Sequence, residues 1–361
     1  MDIKPEMTLE IGSEEKFREF IKGIKNYDKV ALVSHTDLDG ISSPKIINEF
    51  ILPVKINFVN YMELNQDLVT NLREEGINKI IITDLYIHEE KFIKGLEEFA
   101  EILIIDHHES PDWSSEKTTL IKAQGYCATY MCYSLFSKIK NIEKWDWLVS
   151  CTCISDYFYT KPKKWLAATM KKYGDHLEIE KDGNMRKSGK FWDLQYTLSL
   201  ALVYFGENHK EVYDHIKAGK FGDIDDLGKH AKEVRDEINR IVGRFDKEKE
   251  KIKEGYLFGF NPKFGVKSIV ANIISERDPH KVFIILLPRG DFYTISARRQ
   301  DRKFDCSKFL ENLLKGLKNA GGGGHIPAAG GHFLKKDLPV VRERLGLPAK
   351  QSKPLNNHFL K

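Results

Sequence analysis

The sequence holds 361 residues with 41% hydrophobic and 30% charged residues, a globular composition too long for one ordinary domain of about 100–200 residues. No run approaches the roughly 20 apolar residues of a membrane span, and "MDIKPEMTLE" lacks the apolar stretch of a secretory signal, so a cytoplasmic chain without a membrane partner is expected. A net charge of +4 permits a nucleic-acid partner without requiring one.

In chain order, the first half alternates apolar strands with helical patterns. Strands are predicted at residues 29–34 ("KVALVS"), 54–59, 79–83, 101–105 and 119–121, with amphipathic helices at 66–75 and 89–99 between them. This alternation implies an α/β fold with an N-terminal parallel sheet. In such sheets the ligand sits beyond the carboxyl ends of the strands. Residues 127–153 read as helices. Residues 158–219 read as helical and rich in lysine and aromatic residues, and 225–253 as one long charged helix. From Gly255 the pattern changes to short strands, "GYLFGF", "HKVFIILLP" and "FYTISARR", and "DLPVVRERL" reads as a last helix. The expected organisation is a catalytic domain over 1–190, a helical connector over 191–253, a smaller C-terminal α/β domain over 254–346 and a polar tail over 347–361. The five cysteines, Cys127, Cys132, Cys151, Cys153 and Cys306, are an odd number in a chain taken as intracellular and read as buried small hydrophobes.

Polar residues of one kind recur where elements end. The first strand runs into "SHTDLDG" with His35, Asp37 and Asp39. The third runs into Asp84, and the fourth into Asp106, His107 and His108. The run "WLVSCTCISD" ends at Asp156. Singly, each has a plain structural reading, because Asp is a common helix cap and a lone His is usually a satisfied polar residue. Parallel strands would bring the strand-end residues to one sheet edge, within reach of Asp156. Carboxylates and imidazoles gathered there repel or stay unpaired without a cation. A mixed Asp/His shell suits Mn²⁺ best, with Mg²⁺ as the alternative and Zn²⁺ less suited without cysteine ligands. Two such ions can activate water for displacement at phosphorus.

A second constellation is "NAGGGGHIPAAGGHF", residues 319–333, of which 321–331 read as a glycine-dense loop. A flexible linker is its plain reading, which His325 and the small residues after it fit poorly. Gly322, Gly323 and Gly324 would let backbone N–H groups approach a phosphate. Ser296, Arg298 and Arg299 in "ISARRQ" offer hydroxyl and guanidinium contacts, with a surface salt bridge as the rival role for either arginine. Lys161, Lys163, Lys164, Lys171 and Lys172, with Trp165 and Tyr173, read either as a strand-binding surface or as a solvated helix face. The tail "QSKPLNNHFLK" has a faint likeness to a sliding-clamp peptide through Gln351, Leu355, Phe359 and Leu360, but both internal spacings are one residue too long. It reads as a disordered tail.

Taken together, "HTDLDG", Asp84, "DHH", Asp156 and "GGGGHIPAAG" resemble the DHH phosphoesterase superfamily, in the subgroup with a C-terminal DHHA1 domain. The resemblance runs from residue 35 to 330, and residues 157–253 contribute little to it. It implies a two-manganese site between a catalytic domain and a substrate-binding domain. His35, Asp37 and Asp84 match the first ion's ligands, and Asp39, Asp84, His107 and Asp156 the second's, with Asp84 bridging. Asp106 is then expected to orient a ligand, and His108 to face the scissile phosphate or leaving oxygen. Ser296, Arg298, Arg299, the glycines and His325 would hold the nucleotide. The H-x-D-x-D-G form is similar to the archaeal RecJ-like nucleases, whose compact members include the Hef-associated nuclease. It implies an exonuclease on single-stranded DNA or RNA, 3′→5′ by analogy, serving DNA repair or RNA turnover. A repair helicase/nuclease such as Hef, or a second copy of the chain, would be a partner. The alternatives are a phosphodiesterase for very short RNAs or cyclic dinucleotides, and a non-catalytic subunit of a replication or repair assembly.

Overall fold

The computed structural model describes residues 3–181 and 183–349. The chain forms two compact units that divide between Ala231 and Lys232.

The first unit opens with helix α1 (Glu14–Gly23), capped by Ser13, and continues β1 (Val30–Ser34), α2 (Leu38–Ile47), β2 (Lys55–Phe58), α3 (Gln66–Glu74) and β3 (Lys79–Thr83). Then follow α4 (Glu90–Glu97), β4 (Glu101–Asp106), β5 (Thr118–Lys122), α5 (Ala128–Phe136), α6 (Asp146–Ser155), α7 (Lys163–Lys172), α8 (Lys190–Phe205) and α9 (His209–His215). The five strands form one parallel sheet in the order β2-β1-β3-β4-β5. Successive residues of a strand point to opposite faces, and both faces are covered. Val30, Leu32, Ile81, Leu103 and Ile105 enter one core; Ala31, Val33, Ile80, Ile82, Ile102 and Ile104 enter the other. That is why these strands read as continuous apolar runs. The order reverses at β1, so the crevice between the carboxyl ends of β1 and β3 is a topological switch point.

The α/β class with an N-terminal parallel sheet is as expected. The helical stretch 158–219 is broken, since none of the described residues in 173–189, between α7 and α8, is helical. The long charged helix is α10 (Leu227–Glu248), shorter than 225–253 because the chain leaves it for a short strand, β6 (Glu250–Lys251). All five cysteines are buried and free.

The second unit continues β7 (Gly255–Gly259), α11 (Lys267–Ser275), β8 (Val282–Arg289), β9 (Phe292–Arg298), α12 (Cys306–Leu314), β10 (Gly321–His325), β11 (Ala328–Leu334) and α13 (Leu338–Arg344). Its sheet runs β10-β11-β9-β8-β7-β6, antiparallel except for the β7–β8 pair. The glycine-dense segment is therefore a hairpin and not a loop. Glycine has little strand preference of its own, but β11 pairs along its whole length with β9, and β10 with β11. The tail motif, Gln351 to Leu360, lies outside the described residues. Among the described residues no helix is long and apolar enough to cross a membrane.

Candidate metal centre

The carboxyl ends of β1, β3 and β4 carry the polar cluster. After β1 the chain turns sharply through His35 into α2, whose N-cap is Asp37, with its Oδ1 accepting from Gly40 N–H at 3.0 Å. Glycine is required at residue 40, because a Cβ there would lie 2.2 Å from the His35 carbonyl oxygen. Ser34 Oγ ties this turn to β3, bonding Gly40 O at 2.6 Å and Thr83 Oγ1 at 2.7 Å. Asp39, buried in the first turn of α2, accepts from Ala128 N–H (2.6 Å) and Thr129 N–H (2.8 Å) at the start of α5. Asp84 follows β3 in a left-handed conformation, φ 57°, which costs a non-glycine residue on the order of 1–3 kcal/mol and clusters at functional sites. Asp156 caps the carboxyl end of α6.

These residues converge. His35 Nδ1 lies 2.9 Å from Asp37 Oδ2 and 3.6 Å from Asp84 Oδ2. His107 Nε2 lies 3.2 Å from Asp84 Oδ1, 3.5 Å from Asp156 Oδ2 and 4.0 Å from Asp39 Oδ2. Besides a group of Asp84, Asp106, His107 and His108, two donor groups result, His35/Asp37/Asp84 and Asp39/His107/Asp156, each with its donor atoms within 4.8 Å of one another. Asp84 touches both through its two oxygens. Donors on one divalent ion at about 2.1 Å sit roughly 3–4 Å apart, so the spacing fits.

The electrostatics fit as well. Burial pushes Asp84 well above the usual carboxylate range, reinforced by the charges of Asp37 and Asp39. Burial, with Asp39 and Asp37, pushes Asp156 up to about 8. His35 is opposed by its burial but is raised to about 10 by the Asp37 and Asp84 carboxylates beside it. His35 Nδ1, Asp84 Oδ2 and Asp156 Oδ2 are buried without hydrogen-bond partners, which is costly unless a cation satisfies them. His35, Asp37, Asp39, Asp84, His107 and Asp156 could therefore hold two divalent ions.

Asp106 and His108 form the next layer. Asp106, fully buried, accepts at Oδ1 from His108 Nδ1 at 2.8 Å. This holds the proton on Nδ1 and leaves Nε2 as an acceptor. Sequence reasoning missed its partner: Tyr61 Oη lies 3.3 Å from His108 Nε2, and the Tyr61 ring stacks on His35 at 4.9 Å. Burial and the charges of Asp84 and Asp37 push the Tyr61 phenol well above its ordinary value, so it keeps its proton and donates. The ring of Phe158 meets His107 edge-on at 4.7 Å. The Asn60/Glu63 capping box around Tyr61 is visible in the sequence, but it signals only a turn.

In the second unit, Ser296 is buried in β9 opposite Gly330 of β11. Arg298 Nη1 donates to Ala297 O (3.0 Å) and Ala329 O (3.2 Å). Arg299 is held in a two-bond ion pair with Asp301 at 2.8 and 2.9 Å, the rival role considered above. Gly322, Gly323 and Gly324 lie in β10, which ends at an exposed His325. In the first unit, Trp165 is buried, and Lys172 and Tyr173 both bond Asp146 at 2.7 Å. These three side chains serve the fold and offer no stacking platform.

No family model and no curated protein matches the sequence. Solved structures do resemble the fold. A crystal structure of exonuclease RecJ bound to manganese aligns with a TM-score of 0.64 at 12% identity, over 94% of each chain. RecJ from Thermus thermophilus in complex with Mn²⁺ aligns at 0.61 and 14%, over 95% of this chain but 56% of that one. A DHH-domain protein described as belonging to a family of ribosomal proteins aligns at 0.58 and 16%, over 92% of this chain and 89% of that one. Architecture and donor cluster thus define an α/β protein with an acid–imidazole centre at the carboxyl edge of its parallel sheet. More narrowly, its fold is that of the DHH-domain proteins.

Proposed function

We propose that the chain is a two-metal phosphodiesterase that acts as an exonuclease on single-stranded DNA or RNA and releases mononucleotides. The observation that carries this reading is the convergence of six acid and imidazole donors into two groups that meet at Asp84. When bound there, two divalent ions, Mn²⁺ by the donor chemistry, supply an activated water and neutralise charge at phosphorus. The chain's own residues do the rest. Asp106 fixes the His108 tautomer, so that Nε2 can accept a proton at the reacting centre. Tyr61 donates to the same nitrogen at 3.3 Å and keeps the ring aimed while no substrate is present. Arg298 and the β10–β11 hairpin are assigned to the nucleotide end, in keeping with the open backbone at Gly323, where a Cβ would meet nothing within 4 Å. The manganese-bound RecJ structures with this fold support both the ion and the polymer substrate.

The test is end-labelled single-stranded DNA and RNA, from dinucleotide to tens of nucleotides, incubated with Mn²⁺. A ladder shrinking from the 3′ end on long strands is expected, and it should be absent in Asp84→Ala. Cleavage confined to the shortest oligomers would move the activity to small signalling or salvage substrates. No hydrolysis of any of them in a metal-replete assay would overturn the reading.

A further inference from the structure

Away from the metal ligands, the first unit carries a second charged feature. Residues 3–8 form a strap along α5. Tyr130 Oη donates to Glu6 O at 3.0 Å, Ser134 Oγ to Pro5 O at 3.1 Å, and the strap joins the carboxyl end of β5 where Glu10 N–H donates to Lys122 O at 2.8 Å. Facing the strap is the segment that leads from Asp156 into α7. Between them lies a concavity of about 870 Å³, within the size range of ligand pockets. Tyr126 and Tyr130 stack beneath it at 5.4 Å, with Trp165 edge-on to Tyr130 at 5.2 Å, all three buried.

Charge on the rim is one-sided. Lys4, Lys161, Lys163 and Lys164 line it, against Glu6 alone. Lys161 is engaged, its Nζ donating to Gln124 O at 2.6 Å. Lys4, Lys163 and Lys164 are exposed, and among the described residues none has an ion-pair partner. Some other lysines of the same unit are paired, Lys138 with Glu14, Lys144 with Glu49 and Lys172 with Asp146, so what sets the rim apart is that its unpaired lysines gather around one concavity. Unopposed ammonium groups around one concavity favour a ligand with several negative charges.

Two of the concavity's lining residues stand close in the chain to residues of the acid–imidazole cluster. Thr160, on its wall, is four residues from Asp156, a span of at most about 14 Å. Tyr126 stands two residues before Ala128, whose N–H holds Asp39. The aromatic rings are buried and present no face for a base, so contacts here would be to phosphates, without regard to sequence.

We propose that this lysine-rimmed concavity is a second phosphate-backbone site, which holds a single strand inward from the end that meets the metal centre. The proposal rests on reading that centre as a nuclease site for single strands. It identifies which lysines of the basic stretch act together: Lys161, Lys163 and Lys164, joined by Lys4 from the strap, without Lys171 or Lys172.

The experiment is fluorescence anisotropy in EDTA, with labelled single strands longer than about 16 nucleotides and with a dinucleotide, over a salt series. The variant Lys4→Glu/Lys163→Glu/Lys164→Glu is compared with Lys91→Glu/Lys171→Glu/Lys220→Glu, a control with the same charge change at exposed positions off the concavity. The first variant should bind long strands about tenfold more weakly or worse, and its log–log salt slope should fall by about 2, at roughly 0.7 per lost contact. The control should stay near the unaltered chain, and dinucleotide affinity should not change. Equal weakening in both variants, undiminished binding in the first, or an unaltered chain that binds long and short strands alike would each overturn the site. Binding is read without metal, so strand capture without cleavage would keep the site and remove the nuclease reading. Cleavage without lysine-dependent capture would do the reverse.

Discussion

Asp84 is where the molecule's chemistry is most concentrated. It is buried, left-handed in its backbone, and close to the charges of Asp37, Asp39 and Asp156. Asparagine keeps the size of the side chain and tolerates the same backbone region, but it removes the charge. Metal-free Asp84→Asn should therefore be more stable than the unaltered chain by about 1–2 kcal/mol, or a few degrees of thermal midpoint at roughly 2–4 °C per kcal/mol. The midpoint rise on adding Mn²⁺ should shrink and hydrolysis should disappear. A metal-free midpoint below that of the unaltered chain would show that Asp84 is stabilising without metal and would contradict the electrostatic account. The donors were legible in the sequence because acids and histidines at the ends of apolar runs have few structural uses in common. Tyr61 was not, because a tyrosine in a short turn carries no sign of which ring or nitrogen it will meet.

At the scale of elements, β1 to β5 were readable because burial on both faces leaves a continuous apolar run. The hairpin β10–β11 was not readable, since its pairing is imposed by β9 and not by the strand preference of its own residues. Its glycines are not equivalent. At Gly324, φ is 146° and a Cβ would stand 2.6 Å from Ala328 O and 2.7 Å from Ala329 Cα, whereas at Gly323 it would meet nothing within 4 Å. Gly324→Ala should cost about 2–3 kcal/mol through backbone strain and collision. Gly323→Ala should be neutral or stabilise by about 0.5–1 kcal/mol, by restricting the unfolded chain. Urea denaturation of the two variants measures the difference, and equal costs would mean that the hairpin is not paired as described.

For the whole molecule, the sequence pattern changes at Gly255, whereas the division between the two units falls inside α10. A continuous amphipathic helix does not declare which core each of its turns serves. Its start packs through His230 on Tyr204 and Phe205, and its later turns give Phe245 to Phe258 and Phe283. All six candidate metal donors come from the first unit, between His35 and Asp156, and the second unit has a core of its own around Ile284, Ile295, Leu310 and Phe333. Ligand binding stabilises the unit that supplies the donors, by about 2.7 kcal/mol at a hundredfold excess over Kd. Hydrogen exchange read by mass spectrometry should therefore slow on adding Mn²⁺ in the first unit, by up to about a hundredfold for amides that exchange only through its global opening. Peptides from the β1–α2 turn, the end of β4 and the end of α6 belong to that unit, whereas those from β7 to β11 should be unchanged. Equal slowing in both units would mean that they open as one. Slowing confined to β7–β11 would place the ion elsewhere and leave the acid–imidazole cluster without its cation.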